Sequence, residues 1–217
     1  MDISNLKNEL KNCNIYYSNY SNDSNDSNDS YLNYAINTVE KKNNKIYDGI
    51  IEPYELDLIE NEINKEFNKN IINYKLLFRA SRDGFASNDF HKICDGKSNT
   101  LILVKTQSGR RFGGFTEAEW DNYSKFKNYK KGFVFSIDNN EIYHNSKGDY
   151  NIYCYNNIGP SFRGGPHDFT ISNYANMTEQ SFEYIYDKCV KCERKYVLEG
   201  NKNFYVKDYE VYQIELE

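Results

Sequence analysis

Apolar side chains change their spacing several times along the chain. In the first thirteen residues Ile3, Leu6, Leu10 and Cys13 recur at helical intervals. They predict an amphipathic helix too short to be stable alone in water. Ser21–Ser30 then reads SNDSNDSNDS, a three-residue repeat without one apolar side chain. Such a segment cannot offset its chain entropy by burial and is expected to be a flexible linker. Its acids do not form an EF-hand loop, which needs a central glycine and a closing glutamate. Leu32, Ala35, Ile36 and Val39 predict a second short helix, a connection within residues 31–45. Pro53 suits the first turn of a helix, where its missing N–H costs nothing. Leu56, Ile59, Ile63 and Phe67 follow at helical spacing, giving an amphipathic helix of about four turns with one face to bury.

From Lys75 the dominant period drops towards two. Lys75–Ala80 and Thr100–Thr106 are strand-like runs rich in branched and aromatic residues. Between them SRDGF makes a turn at Gly84, and Ser87 is placed to cap a short helix carrying Phe90, Ile93 and Cys94. Gln107–Arg110 is a hairpin turn in which Gly109 supplies a positive φ, with Arg111–Phe115 as the return strand. Gly132–Ile137, a turn at Asn139–Asn140, and Glu141–His144 form another hairpin. Asn151–Tyr155, Phe169–Ser172, Phe204–Val206 and Asp208–Leu216 are further strands, the last alternating as YEVYQIEL. Many antiparallel strands, few helices and no regular βαβ alternation predict an α+β fold: two antiparallel sheets packed as a sandwich and flanked by helices. The expected organisation is a short helix and linker over 1–30, a connecting helix over 31–45, and one domain over 46–217.

Composition refines this picture in a few places. At 217 residues the chain holds one substantial domain, and 21 Tyr and 13 Phe against one Trp mean that aromatic rings supply much of its core. Asn, Lys, Ile and Tyr share A·T-rich codons, so the tyrosine count carries no functional weight. A net charge of −5 argues against a nucleic-acid partner, and the cationic stretch Lys125–Lys131 reads as a solvated loop. No run approaches the ~20 apolar residues that span a bilayer. The first residues lack the basic start and apolar core of a signal peptide, so the expected location is the cytoplasm. Five cysteines, an odd number, fit reduced thiols better than a disulfide framework.

Four stretches, in order, resemble one known family. KLLFRASRDGFASNDFHKICDG resembles the opening of TLDc domains, and TLILVKTQSGRRFGGFT their first hairpin with its Phe-Gly-Gly. IGPSFRGGPHDFTI resembles their Gly-Pro-x-Phe…Gly…His-Asp segment, although Arg163 and Pro166 flank a glycine pair where the family pattern is simpler. VLEGNKNFYVKDYEVYQIEL resembles their closing strands with an internal acidic residue. The resemblance implies a two-sheet sandwich, protection against oxidative damage, and binding to the cytosolic sector of the vacuolar proton-pumping ATPase. It brings no established catalytic mechanism and no cofactor.

Candidate chemistry is sparse. Gly84, Gly113, Gly114, Gly159, Gly164 and Gly165, with Pro160, read as backbone requirements, because neither phosphate-loop pattern occurs. Arg79 is positioned to pair with Glu210 across the sheet and hold the domain's two ends together. Ser161, His167 and Asp168 invite a hydrolase reading. Neighbouring residues on a strand point to opposite faces, however, and no nucleophile elbow is present. One of His167 and Asp168 is expected to bond backbone in the glycine turn instead. Cys189 and Cys192 have redox-like spacing, with Lys188, Lys191 and Arg194 nearby to favour thiolate. A small enzyme, either a thiol-based peroxide scavenger using Cys189 and Cys192 or a hydrolase around Ser161, His167 and Asp168, is therefore the alternative to a protein-binding module. No second Cys or His pair completes a zinc site around Cys189 and Cys192. For partner binding, the two turns point to Arg82, Asp83, Phe85, Arg163 and His167.

Overall fold

The computed structural model describes residues 49–129, 131–144, 150–163, 169–181, 198 and 203–217. The chain divides into units Met1–Tyr47 and Asp48–Glu217, and the described residues all belong to the second. The expected N-terminal helices and SND linker therefore lie outside them, as do Gly164, Gly165, His167, Asp168, Cys189 and Cys192.

A single 3-10 turn, Pro53–Leu56, leads into helix α1, Asp57–Phe67. Asn68 takes a left-handed conformation at φ 52° and ends it. Asn tolerates that region because its short side chain bonds locally. Strand β1, Ile71–Arg79, starts four residues before the predicted Lys75. Helical turn α2 (Ala80–Asp83) and helix α3 (Ser87–Cys94) follow, then β2 (Thr100–Thr106) and β3 (Arg111–Thr116). Next come β4 (Lys125–Tyr129), β5 (Gly132–Ser136), β6 (Glu141–Tyr143), β7 (Tyr150–Cys154) and β8 (Ile158–Arg163). The chain closes with β9 (Phe169–Ser172), β10 (Gln180–Ser181), β11 (Asn203–Phe204) and β12 (Val206–Leu216).

Six strands form one sheet in the order β1-β12-β2-β3-β5-β6, four form a second in the order β4-β7-β8-β9, and β10-β11 is a short ribbon. The pairings are antiparallel throughout. This is the predicted α+β sandwich. One face of the large sheet, with Phe78, Ile102, Val104, Phe112 and Val211, joins the small sheet's Ile152, Phe162, Phe169 and Ile171 in one core. Phe112 meets Phe169 edge-on at 5.3 Å between ring centroids. The opposite face is roofed by α1, whose Phe67 stands edge-on to Phe115 at 5.8 Å. The glycines of β3 serve these two faces separately. A Cβ on Gly114 would lie 2.7 Å from the Phe162 ring, and one on Gly113 would lie 2.0 Å from the Ile102 carbonyl oxygen.

Two segments differ from their prediction. Lys125–Tyr129 is an edge strand rather than a loop, paired with β7 from Lys125↔Cys154 to Tyr129↔Tyr150. Its lysines sit on an outer strand, where charge discourages further pairing. The Gly-Pro run after Ile158 is also a strand. Pro160 is accommodated because the β8–β9 register shifts between Ile158 and Ser161, the kind of irregularity where a strand tolerates a missing N–H.

Candidate functional site

The polar group that follows β1 begins with register. Arg79 is paired opposite Glu210 in the β1–β12 ladder, and its guanidinium lies 2.7 Å from the Glu210 carboxylate. Glu210 is 1% exposed. Its other oxygen accepts the Ile50 N–H at 3.0 Å and the Tyr212 hydroxyl at 3.1 Å. Burial raises its carboxyl above the ordinary value, and the Ile50 hydrogen bond and Arg79 only partly offset that. One buried carboxylate thus ties the first strand, the last strand and the segment before α1 together.

Beyond Arg79 the chain turns sharply. Asp83 accepts the Arg79 N–H at 2.9 Å and receives the Arg82 guanidinium at 2.8 and 2.7 Å. The Arg82 hydrogen bonds hold its carboxyl below the ordinary value despite some burial. Ser81 donates its N–H and hydroxyl to Asp208 at 2.9 and 2.6 Å. Gly84 has φ 119°, and a Cβ there would lie 2.1 Å from the Asp89 carboxylate. That carboxylate is occupied in accepting the Ala86 N–H at 3.1 Å, which closes the start of α3. Ser87 is therefore not the cap. It is buried as the first helical residue, and its hydroxyl donates to the Asn156 carbonyl at 3.0 Å.

Helix α3 then gathers the turns of the small sheet. The Ser87 N–H reaches the Asn173 side chain at 2.9 Å, and Asn173 reaches Asn157 at 3.3 Å. His91 is 6% exposed; Nδ1 lies 2.7 Å from Asp95, and Nε2 lies 2.9 and 3.0 Å from the Tyr155 and Ile158 carbonyls. Around this bonded frame Arg82, Tyr155, Tyr174 and Met177 are exposed, Met177 by 72%.

A family model for the TLDc domain matches residues 45–215. The chain belongs to the TLDc family. A search of the curated proteins gives no match.

Within this TLDc domain the sequence-picked residues have different surroundings. Arg82 is exposed, whereas Asp83 is largely enclosed by the turn it organises. Phe85 is half-buried against the core, and its carbonyl accepts the Ala175 N–H at 3.4 Å, so its ring does not stand out to solvent. Arg163 folds back over the Tyr153 ring at 5.4 Å and donates to Ser161 at 3.3 Å. Ser161 is fully buried with its hydroxyl 2.6 Å from Thr170, which leaves no approach for a substrate carbonyl. Cys94 and Cys154 are buried, and burial raises both thiols above their ordinary value, away from thiolate reactivity.

A cavity of about 250 Å³ lies beside α1, lined by Glu55, Leu58, Ile59, Phe135, Ile137 and Asn140. Its one ionisable group is committed: Arg111 clasps Glu55 through two bonds of 2.7 Å and also reaches Asp138 at 3.2 Å. Burial opposes ionisation of Glu55, but the Arg111 bonds prevail and lower its carboxyl below the ordinary value. Sequence reading missed this triad, as it missed His91, Asp208, Tyr155, Tyr174 and Met177. Only His91 had a local signal, its i,i+4 spacing from Asp95. Among the described residues, no helix is long and apolar enough to cross a membrane.

Proposed function

We propose that this TLDc domain is a non-catalytic protein-binding module that docks on the cytosolic sector of the vacuolar proton-pumping ATPase and contributes to oxidative-stress resistance. The family supplies the partner. The observation that carries the binding reading is the α3 end of the sandwich, where part-buried hydrogen bonds tie α3 to the turns after β7 and β9 and leave Arg82, Tyr155, Tyr174 and Met177 in solvent. Large apolar side chains and an arginine on preorganised turns are the composition that anchors protein interfaces. The burial of Ser161 weakens the hydrolase alternative, while Cys189 and Cys192, on which the scavenger alternative rests, lie outside the described residues.

The test is capture of pump subunits from a matched lysate by the full chain, beside Arg82→Glu and the double variant Tyr174→Ser/Met177→Ser. Trp120 is fully buried, so its fluorescence reports whether each variant is folded. Recovery by wild type and loss in folded variants is the expected result. Failure of the wild-type chain to recover any pump subunit removes this partner. Full recovery by both variants moves the binding face elsewhere.

A further inference from the structure

On the side of the large sheet roofed by α1, three potential metal ligands converge. Glu62 and Glu66 are one turn apart on the same face of α1, and His144 directly follows β6. One donor atom from each lies within 4.8 Å of the others. His144 Nε2 is 3.1 Å from Glu62 Oε1, and Nδ1 is 3.8 Å from Glu66 Oε1. The two carboxylate side chains are only 15% and 13% exposed, while the imidazole is 38% exposed and gives the group its opening to solvent.

A second observation is independent of that clustering. Glu66 Oε2 is buried and has no hydrogen-bond partner. A buried acceptor of this kind costs the full desolvation of the group unless a ligand or solvent satisfies it. When both are ionised, carboxylates at i,i+4 on a helix also repel, and positive charge between them relieves that repulsion. Lys65 contributes from outside, bonding Glu62 at 3.1 Å with its own side chain 73% exposed. Among the described residues no hydrogen bond reaches the buried oxygen of Glu66, although Lys131 and Lys65 act on its carboxyl through their charges.

We infer that Glu62, Glu66 and His144 form a site for a divalent first-row transition ion of the zinc or manganese class, clamping α1 to the end of β6. Two carboxylates with one imidazole suit such ions. All-oxygen sets suit calcium and magnesium, and thiolates suit copper(I). Donors on a tetrahedral zinc lie about 3.4 Å apart at bond lengths of about 2.1 Å, so small side-chain rotations close the present spacing. Three protein ligands leave a coordination position for water. Burial, then the charges of Glu62 and Glu117, push the Glu66 carboxyl up to about 7, with Lys131 and Lys65 opposing.

The experiment uses the full chain stripped with chelator, titrated with Co²⁺ as a spectroscopic probe and with Zn²⁺ by calorimetry. One ion per chain should bind, with weak visible d–d bands and no thiolate charge-transfer absorption, and binding should release protons. Glu66→Gln and His144→Asn should each weaken binding by more than the ~10–100-fold typical of losing an outer-shell partner. Each should also abolish the metal-induced rise in Tm. Both retain shape, and Glu62→Gln replaces either one that fails to fold. Three results would each overturn the site: no saturable binding by wild type, unchanged affinity in the folded variants, or thiolate absorption that disappears in Cys189→Ser/Cys192→Ser.

Discussion

Replacing Arg79 with Met tests how much of this domain hangs on one buried carboxylate. Methionine keeps the stem of the side chain and removes the guanidinium that lies 2.7 Å from Glu210. Glu210, 1% exposed, then retains only the Ile50 N–H and the Tyr212 hydroxyl. Breaking a buried pair from one side costs about 3–5 kcal/mol, because the remaining charge is left uncompensated. Arg79 is itself 22% exposed, and water entering its place brings the expectation to the lower end, about 3 kcal/mol. For a domain of this size that is roughly a 6–12 °C drop in Tm.

The pH dependence carries the sharper test. Burial already raises the Glu210 carboxyl in the folded state, so the native protein holds this proton more tightly than the unfolded chain does. Stability therefore falls as pH rises from the unfolded carboxylate range through the folded value. Without Arg79 the folded value moves higher still and the fall steepens. Urea denaturation followed by Trp120 fluorescence at pH 5 and pH 7.5 should show Arg79→Met losing more at the higher pH. Arg79→Met/Glu210→Gln should recover much of the loss. A deficit under about 1 kcal/mol, or one equal at both pH values and not relieved by the second change, would refute the reasoning.

Other outcomes follow from single contacts. Gly84→Ala places a Cβ at φ 119° and 2.1 Å from Asp89, and should destabilise by about 2–4 kcal/mol in chemical denaturation. Gly114→Ala presses on Phe162 at 2.7 Å and should cost about 1–3 kcal/mol, with Phe162→Leu in the same chain restoring part of it. Cys94 and Cys154 should resist alkylation in native buffer and react fully in urea, with modification located by mass spectrometry. His91→Ala removes bonds to Asp95 and to two carbonyls, and should increase hydrogen exchange around Tyr155 and Ile158 before the large sheet is affected.

The sandwich was legible because runs rich in branched and aromatic residues mark β2, β3, β5 and β12, and turn residues such as Gly109 and Asn140 take the positive φ their positions require. β4 was not legible, because an edge strand reads KFKNY when its exposed positions are lysines and only one side is paired. The first residues of β1 were hidden among asparagines that also occur in turns. Chemistry between distant segments was harder to foresee. Arg111 with Glu55, Ser81 with Asp208, and His144 with Glu66 meet only because register and helix placement bring them together, and no short motif encodes them. The exposure of Tyr174 and Met177 is equally a property of the assembled turns.

Strand β12 lies between β1 and β2, although it is the last of the described strands in sequence. Asn73 and its cross-strand partner Glu215 are 142 residues apart. At about 5–20 residues per second, a ribosome needs roughly 7–28 s to deliver the second after the first. During that interval β1 lacks the one neighbour it has among the described strands of the sheet, and β2, once made, has one side uncovered. Both are open hydrogen-bonding edges of the kind that recruit other chains. Nascent chains of this protein should therefore depend on holding chaperones late in synthesis, and ribosome stalling just before β12 should yield aggregates rather than a partly active domain.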